Sequence, residues 1–287
     1  MVLGIALCAS IVLPGCATAP SDGKRRLLFF TRNVGYYHDV VKRKGEPLSL
    51  AEKQLVAVGK EMGIEVECTK DGRVFDGSLD RYDAIAFFTN GDLTKPNEFK
   101  EPPMTQRGKE RMLQAVADGK GFICFHSSCG SWRTPGEQMK NSADVDPFIA
   151  MIGGEFLTHA AQQEATLRVV SPHFPGLSSF APSFRMHEEW YAAKNFARDL
   201  HVVFSQETAG MKGACYKRPI YPSTWVRMEG AGRVFCTTMA HRADTWQSKT
   251  FHQIIRAGLA WILHDVEADV QPNFRTATPG ADTLVNP

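Results

Sequence analysis

The 287-residue sequence has little excess charge of either sign. Its 33 Lys and Arg residues nearly balance 31 Asp and Glu residues. Its longest basic runs, residues 24–26 and 42–44, are only three residues long. Because binding to a nucleic-acid backbone needs many cations to displace counterions, we expect no nucleic-acid partner. The hydrophobic content of 43% excludes a disordered polyelectrolyte, so the chain is predicted to fold.

Cysteine motifs are also missing. Beyond residue 23 the cysteines are odd in number and contain no C-x-x-C pair, which argues against a zinc ribbon and a complete disulfide framework. Cys124 and Cys236 lie in apolar, strand-like runs, where a cysteine usually acts as a small buried hydrophobe. A bridge between Cys129 and Cys215 stays open, since it would depend on an oxidising compartment.

The N-terminal apolar run is too short to span a membrane. Residues 2–14 carry no charge, but a spanning helix needs about 18 apolar residues or more. The quartet ending at Cys16 resembles a bacterial lipoprotein signal, although no Lys or Arg precedes it. We expect residues 1–23 to be an export signal and linker, with Cys16 lipidated and the protein held at the cell envelope or periplasm by that lipid alone. A fortuitous apolar N-terminus is the alternative.

From residue 24 the pattern alternates between strands and helices. Short, unbroken apolar runs predict buried strands at residues 27–31, 64–68, 84–88 and 121–125. Helical spacing predicts helices at 48–62 and at about 105–118, the second capped by Thr105. This alternation predicts an α/β fold: a flavodoxin-like, doubly wound and mostly parallel sheet in a single domain.

The second half of the sequence is less regular. We predict strands at 165–171 and 200–205, a hairpin over 225–239 and an amphipathic helix at 247–263. The domain is therefore expected to cover residues 24–264. Residues 265–287 contain three prolines and no apolar period, so this tail is predicted to be poorly ordered.

Polar side chains follow several of the predicted strands. His38 comes soon after the first, Asn90 follows the third, His126 and Ser127 follow the fourth, and His241 follows the last. Ligands of doubly wound sheets bind at the carboxyl ends of the strands, so these side chains are predicted to line a small-molecule site. For each residue taken alone, a structural hydrogen bond is the competing interpretation.

Two adjacent glutamates supply candidates for acid or base chemistry. Glu188 and Glu189 precede Trp190; they are either a solvated charged pair or include a general acid or base held against an apolar wall. Trp225 is by default a core residue, but an aromatic face also suits the C–H face of a sugar.

The order and spacing of these residues resemble the ThuA-like, or trehalose-utilisation, family, whose fold is similar to class I glutamine amidotransferases. The resemblance covers about residues 26–263. The matching pieces are His38, the segment 121–127, the segment 152–156 with His159, the segment 171–177, the block 188–191, Pro222 with Trp225, and the segment 232–235 followed by His241. Two residues depart from the family pattern: Ala160 replaces a usual Pro, and Ala240 stands where Gly often precedes the last His.

The resemblance implies a role in the utilisation of disaccharides or glycosides, through 3-keto sugars made by partner sugar dehydrogenases. A proton beside the carbonyl of such a sugar is acidic, so one base and one hydrogen-bonding or cationic group suffice for cleavage. Our hypothesis gives the acid and base steps to His126 with Glu188 or Glu189. The carbohydrate would be bound by His38, Asn90, Ser127, His159, Trp225 and His241.

Other chemistries are weighed against this one. Glutaminase activity is not expected, because the turn after the fourth strand begins with His126 and Ser127 instead of a nucleophilic Cys, and no G-x-S-x-G motif surrounds Ser127. No cofactor is expected, but a metal-dependent hydrolase with a divalent ion on His126, His159, Glu189 and His241 is one alternative. A non-catalytic carbohydrate-binding module of the cell envelope is the other.

Overall fold

The computed structural model describes residues 23–285 of the chain. The strands of this part are β1 (Arg25–Phe30), β2 (Ile64–Thr69), β3 (Ala84–Phe87), β4 (Gly121–Phe125), β5 (Glu155–His159), β6 (Gln163–Val169), β7 (Ser183–Glu188), β8 (Tyr191–Lys194), β9 (His201–Gln206), β10 (Tyr221–Glu229) and β11 (Gly232–Thr237). Its α-helices are α1 (Leu50–Glu61), α2 (Gln106–Ala117), α3 (Pro147–Ile152), α4 (Ala243–Gln247), α5 (Lys249–Ile262) and α6 (Phe274–Ala277).

Nine of these strands form one sheet, in the order β2-β1-β3-β4-β11-β10-β9-β6-β7, and β5 pairs with β8 in a separate ribbon. The strands from β2 to β11 in this order run parallel to one another. The remaining four extend the sheet by antiparallel pairing. The predicted α/β fold in a single domain is confirmed. The hairpin of β10 and β11 places β11 beside β4, so that both strands end at the same edge.

The first strands are buried on both faces, as their unbroken apolar sequence predicts. In β1, Leu27 and Phe29 belong to one hydrophobic core and Leu28 and Phe30 to the other, because successive side chains of a strand alternate between faces. Helices α1 and α5 cover the first core, and α2 and α3 cover the second. The loops at the strand ends are thus carried by a rigid scaffold.

Side-chain caps start the first two helices close to the predicted positions. Ser49 accepts a hydrogen bond from the Glu52 amide, and the Glu52 carboxylate accepts one from the Ser49 amide, which forms a capping box. Thr105 caps α2, as predicted, by accepting a hydrogen bond from the Gly108 amide.

Up to residue 285, the C-terminal tail that the sequence predicts to be poorly ordered makes defined contacts with the domain. The amides of Asn273 and Phe274 both donate hydrogen bonds to the Leu200 carbonyl. In α6, the buried Phe274 packs against Phe196 with ring centroids 5.6 Å apart. A single aromatic side chain, Phe274, anchors this segment. The segment has no apolar period, so hydrophobic periodicity in the sequence does not predict its order.

The predicted export signal and the lipidation of Cys16 lie outside the described residues, so both stay predictions. Between residues 23 and 285, no helix is long and apolar enough to cross a membrane.

The described cysteines are free thiols, and Cys129 and Cys215 are not bridged. Cys124 and Cys236 are buried in adjacent strands. The Cys129 thiol donates a hydrogen bond to the His126 carbonyl at 3.0 Å, and burial raises its pKa well above the ordinary value. These thiols therefore behave as small core residues.

Candidate functional site

Loops at the carboxyl ends of the parallel strands carry the candidate site. His38 follows β1, Asn90 follows β3, His126 begins the turn after β4, and His241 lies shortly after β11. The backbone of His126 has a φ of 44°. This left-handed conformation is costly for most residues and turns the chain sharply at the strand end, as is common where a side chain is held for function.

Glu189 lies at the centre of a group of histidines. Its Oε2 is 3.0 Å from His241 Nδ1 and 3.5 Å from His126 Nε2. Its Oε1 is 3.5 Å from His159 Nδ1, and His126 Nε2 lies 3.3 Å from His241 Nδ1. Both carboxylate oxygens therefore face imidazole nitrogens, so the charge on one member depends on the protonation of the others.

The backbone fixes the position of one proton in this group. His126 Nδ1 lies 2.6 Å from the carbonyl oxygen of Thr238. Because a carbonyl oxygen only accepts, Nδ1 carries a proton, and Nε2 is the ring nitrogen that faces Glu189 and His241.

Burial and neighbouring charges set the ionisation of Glu189 and His38. Burial acts to raise the pKa of Glu189, but hydrogen bonds and charges from His126 and His241 lower it well below its ordinary range. For His38, burial lowers the pKa well below its usual value, and the charges of His126 and His241 lower it further. At neutral pH the site therefore combines an ionised carboxylate with at least one neutral imidazole.

A cavity of about 360 Å³ lies over this group. Its size falls within the range of small-molecule sites. Tyr36 stands at its rim with 64% of its surface exposed, and the His159 ring is stacked on Tyr191. The lining residues are Tyr36, His38, Asn90, Ser127, Gly130, Arg133, Phe156, His159, Glu189 and Tyr191.

The structure brings most of the predicted site residues to one place. The members that line this cavity or its floor are His38, Asn90, His126, Ser127, His159, Glu189 and His241. Their sequence positions span about 200 residues, so the order of the strands is what unites them.

Glu188, in contrast, is turned away from the cavity. It is fully buried, and its carboxylate accepts hydrogen bonds from the amides of Glu189 at 2.9 Å, Ala240 at 3.1 Å and Arg242 at 3.3 Å. With both oxygens engaged by backbone N–H groups, Glu188 holds the segments that carry Glu189 and His241. Of the two glutamates predicted for acid or base chemistry, the structure places Glu189 in the cavity.

Trp225 also lies elsewhere. Its indole is fully buried among core residues, where Nε1 donates a hydrogen bond to the Ile152 carbonyl at 2.7 Å. The sugar-binding position predicted for it is corrected to the core position that aromatic residues usually take.

Five lining residues were not among the predicted site residues: Tyr36, Gly130, Arg133, Phe156 and Tyr191. Phe156 and His159 are three residues apart in β5, where simple alternation puts side chains on opposite faces. A break in the register between Phe156 and Thr158 lets both reach the cavity. Tyr191 lies two residues after Glu189, and this closeness in sequence was the available signal.

The group that could hold a metal ion differs from the predicted set by one member. His38, His126, Glu189 and His241 each offer a ligand atom, and these atoms lie within 4.8 Å of one another. His159, which was predicted as a ligand, lies outside this set, and its side chain is 40% exposed.

The fold and site together define a class: α/β proteins of flavodoxin-like fold with a cavity lined by His and Glu at the carboxyl ends of the parallel strands. A family model described as ThuA, trehalose utilisation, matches residues 26–262. The chain belongs to the ThuA family, which confirms the resemblance seen in the sequence. Membership supports a role in trehalose utilisation at the level of the family.

Two ThuA-like proteins of known structure have similar folds. The protein from Bacteroides uniformis has a TM-score of 0.61 and 16% identity, covering 87% of this chain and 95% of its own. The protein from Parabacteroides merdae has a TM-score of 0.60 and 15% identity, covering 92% of this chain and 100% of its own. At these identities the likeness shows the fold alone. No curated protein matches the sequence.

Proposed function

We propose that this protein cleaves the glycosidic bond of a 3-keto sugar in the cavity above Glu189. The observation that carries the proposal is the position of the Glu189 carboxylate, which lines the cavity and lies within 3.5 Å of three imidazole nitrogens. A charged base beside groups that can donate hydrogen bonds suits the removal of a proton next to a carbonyl. The role of the family in trehalose utilisation supports a sugar as the substrate.

The chemistry begins at the carbon between the carbonyl and the anomeric carbon. Glu189 takes a proton from this carbon, and the electron pair moves into the carbonyl to form an enolate, whose oxygen the imidazole groups stabilise. When the enolate collapses, the bond from the anomeric carbon to the glycosidic oxygen breaks, and the leaving oxygen takes up a proton from a protonated imidazole. Water then adds to the unsaturated keto sugar.

The walls of the cavity suit a carbohydrate. Phe156 and Tyr191 provide aromatic surface, with ring centroids 4.3 Å apart, and Tyr36 adds an exposed ring at the rim. Such faces pack against the C–H groups of a sugar ring. Asn90 and Ser127 contribute polar groups that can bind hydroxyls. A 3-keto substrate requires an oxidation beforehand, so a sugar dehydrogenase is the expected partner.

Product formation from 3-keto-glucosides tests the proposal. We expect turnover by the wild-type chain and a loss of about 10²- to 10⁴-fold in Glu189→Gln, the usual contribution of a general base. Glu164→Gln is the matched control, because Glu164 is exposed on β6 and its replacement should leave turnover unchanged.

The competing function is a non-catalytic carbohydrate-binding module. Saturable binding of the keto sugar by a wild-type chain that gives no product would favour the module and contradict catalysis. Equal turnover by wild type and Glu189→Gln would instead remove Glu189 from the reaction.

A further inference from the structure

We propose that His38, His126, Glu189 and His241 bind a divalent transition-metal ion of the Zn²⁺ type. Each residue offers one ligand atom, and all four atoms lie within 4.8 Å of one another. Three imidazole nitrogens and one carboxylate oxygen suit Zn²⁺ and its first-row neighbours, whereas Mg²⁺ and Ca²⁺ prefer oxygen ligands. The donor set therefore selects the class of ion.

Three of the four ligand atoms already form a triangle of suitable size. Its edges are 3.0 Å from His241 Nδ1 to Glu189 Oε2, 3.3 Å from His241 Nδ1 to His126 Nε2, and 3.5 Å from His126 Nε2 to Glu189 Oε2. Donors placed about 2.1 Å from a tetrahedral centre lie about 3.4 Å apart. An ion can therefore occupy the position above this triangle with little movement of the three side chains.

His38 completes the set. Its ring is 2% exposed and lies edge-on to the rings of His126 and His241, with centroids 4.9 and 5.0 Å away. Its Nδ1 is buried and has no hydrogen-bond partner among the described residues, while Nε2 is 3.4 Å from the Tyr191 hydroxyl. A buried imidazole with an unused lone pair is costly unless a ligand engages it.

The surroundings of His126 match those of metal-binding histidines. Such residues commonly use their second ring nitrogen to donate a hydrogen bond to a carbonyl or carboxylate, which orients the ring and fixes its tautomer. His126 makes this bond from Nδ1 to the Thr238 carbonyl at 2.6 Å, and its Nε2 faces Glu189 Oε2 at 3.5 Å and His241 Nδ1 at 3.3 Å.

The same triangle also accommodates a metal-free hydrogen bond from His241 Nδ1 to Glu189 Oε2, so metal content has to decide between the two states. The inference deepens the proposed function, because an ion here would stabilise the enolate oxygen and leave Glu189 Oε1 free beside His159. It rests on the donor set rather than on the substrate. Metal binding and sugar cleavage can therefore fail separately.

The test measures metal in the full chain by elemental analysis, after chelator treatment, reloading with Zn²⁺ and dialysis. We expect about one ion per chain. Glu189→Gln and His241→Ala should weaken Zn²⁺ binding by more than about 100-fold, since even outer-shell partners of a metal site contribute 10- to 100-fold. Two controls should keep the ion: His159→Ala, in the same cavity but outside the set, and His187→Ala, exposed on β7.

Co²⁺ loaded into the wild-type chain gives a second readout that needs no variant to fold. In the wild-type chain, visible d–d bands typical of four- or five-coordinate nitrogen and oxygen ligation are expected. A folded His38→Ala variant should show altered bands. Stoichiometric binding that is unchanged in a folded His241→Ala variant would overturn the proposal. Absence of bound Zn²⁺ and of the Co²⁺ bands in the wild-type chain would do the same.

Discussion

Replacing each of the two adjacent glutamates by glutamine tests which one holds the site and which one reacts in it. Glu188 accepts three backbone hydrogen bonds and is fully buried, whereas Glu189 faces the cavity. The two variants change the same atoms one residue apart. They should nevertheless affect different measurements.

The size of each effect follows from these contacts. A hydrogen bond to a charged group contributes about 1.5–3 kcal/mol. Glu188→Gln turns an NH₂ group towards at least one backbone N–H, so we expect unfolding free energy to fall by about 2–3 kcal/mol. For a domain of this size that lowers Tm by about 4–12 °C. Glu189→Gln keeps an oxygen for His241 and should cost about 1–2 kcal/mol.

Thermal unfolding and turnover of 3-keto-glucosides at 20 °C are the two assays. Glu188→Gln should lose stability but keep turnover within about tenfold of wild type, and Glu189→Gln should lose about 10²- to 10⁴-fold in turnover with the smaller change in stability. A Glu188→Gln variant as stable as wild type but inactive would refute the division of roles. It would mean that Glu188 reaches the reacting atoms.

Three further substitutions test other parts of the structure. Ala240 has a φ of 108°, so Ala240→Gly should relieve backbone strain of about 1–3 kcal/mol against a glycine cost of about 0.5–1 kcal/mol; a fall in Tm in thermal unfolding would contradict this. Burial acts to raise the pKa of Glu52, but its hydrogen bonds to Arg43 and charges nearby lower it overall, so its stabilisation is present at neutral pH and is lost as pH falls below the ordinary Glu pKa of about 4.3. Glu52→Gln should cost about 3–5 kcal/mol at pH 7 and flatten that acid dependence in urea titrations, whereas an unchanged pH profile would show that Glu52 is not responsible. Phe274→Ala should free the tail, seen as faster hydrogen exchange in residues 265–285 with the sheet still protected; an unchanged exchange rate would mean that Phe274 does not anchor it.

The first half of the fold was predictable from sequence because its strands are unbroken apolar runs. Leu27 to Phe30 are buried on both faces of the sheet, and such strands lack the polar alternation that would confuse them with a surface strand. The polar residues that follow parallel strands share one edge of the sheet, so the sequence predicts that His38, Asn90 and His126 lie near one another.

The choice between Glu188 and Glu189 was not predictable in this way. A shift of one residue reverses the face on which a strand side chain lies, and which face meets the cavity depends on the pairing of β7 with β6. The members of the candidate metal site were not predictable from sequence either. His38 belongs to the site and His159 does not because they differ in their distance from the other imidazoles, and no local motif records that distance. Irregular pairing near Phe156 likewise leaves no mark in the sequence.

The most direct measurement is the loss of deuterium from a 3-keto-glucoside labelled at the carbon between the carbonyl and the anomeric centre, followed by NMR in ordinary water. If Glu189 takes that deuteron, the wild-type chain should exchange the label into water and release product that lacks it, Glu164→Gln should behave like wild type, and Glu189→Gln should retain the label. Washout in Glu189→Gln at the wild-type rate, or cleavage by the wild-type chain with the label kept in place, would contradict Glu189 as the base.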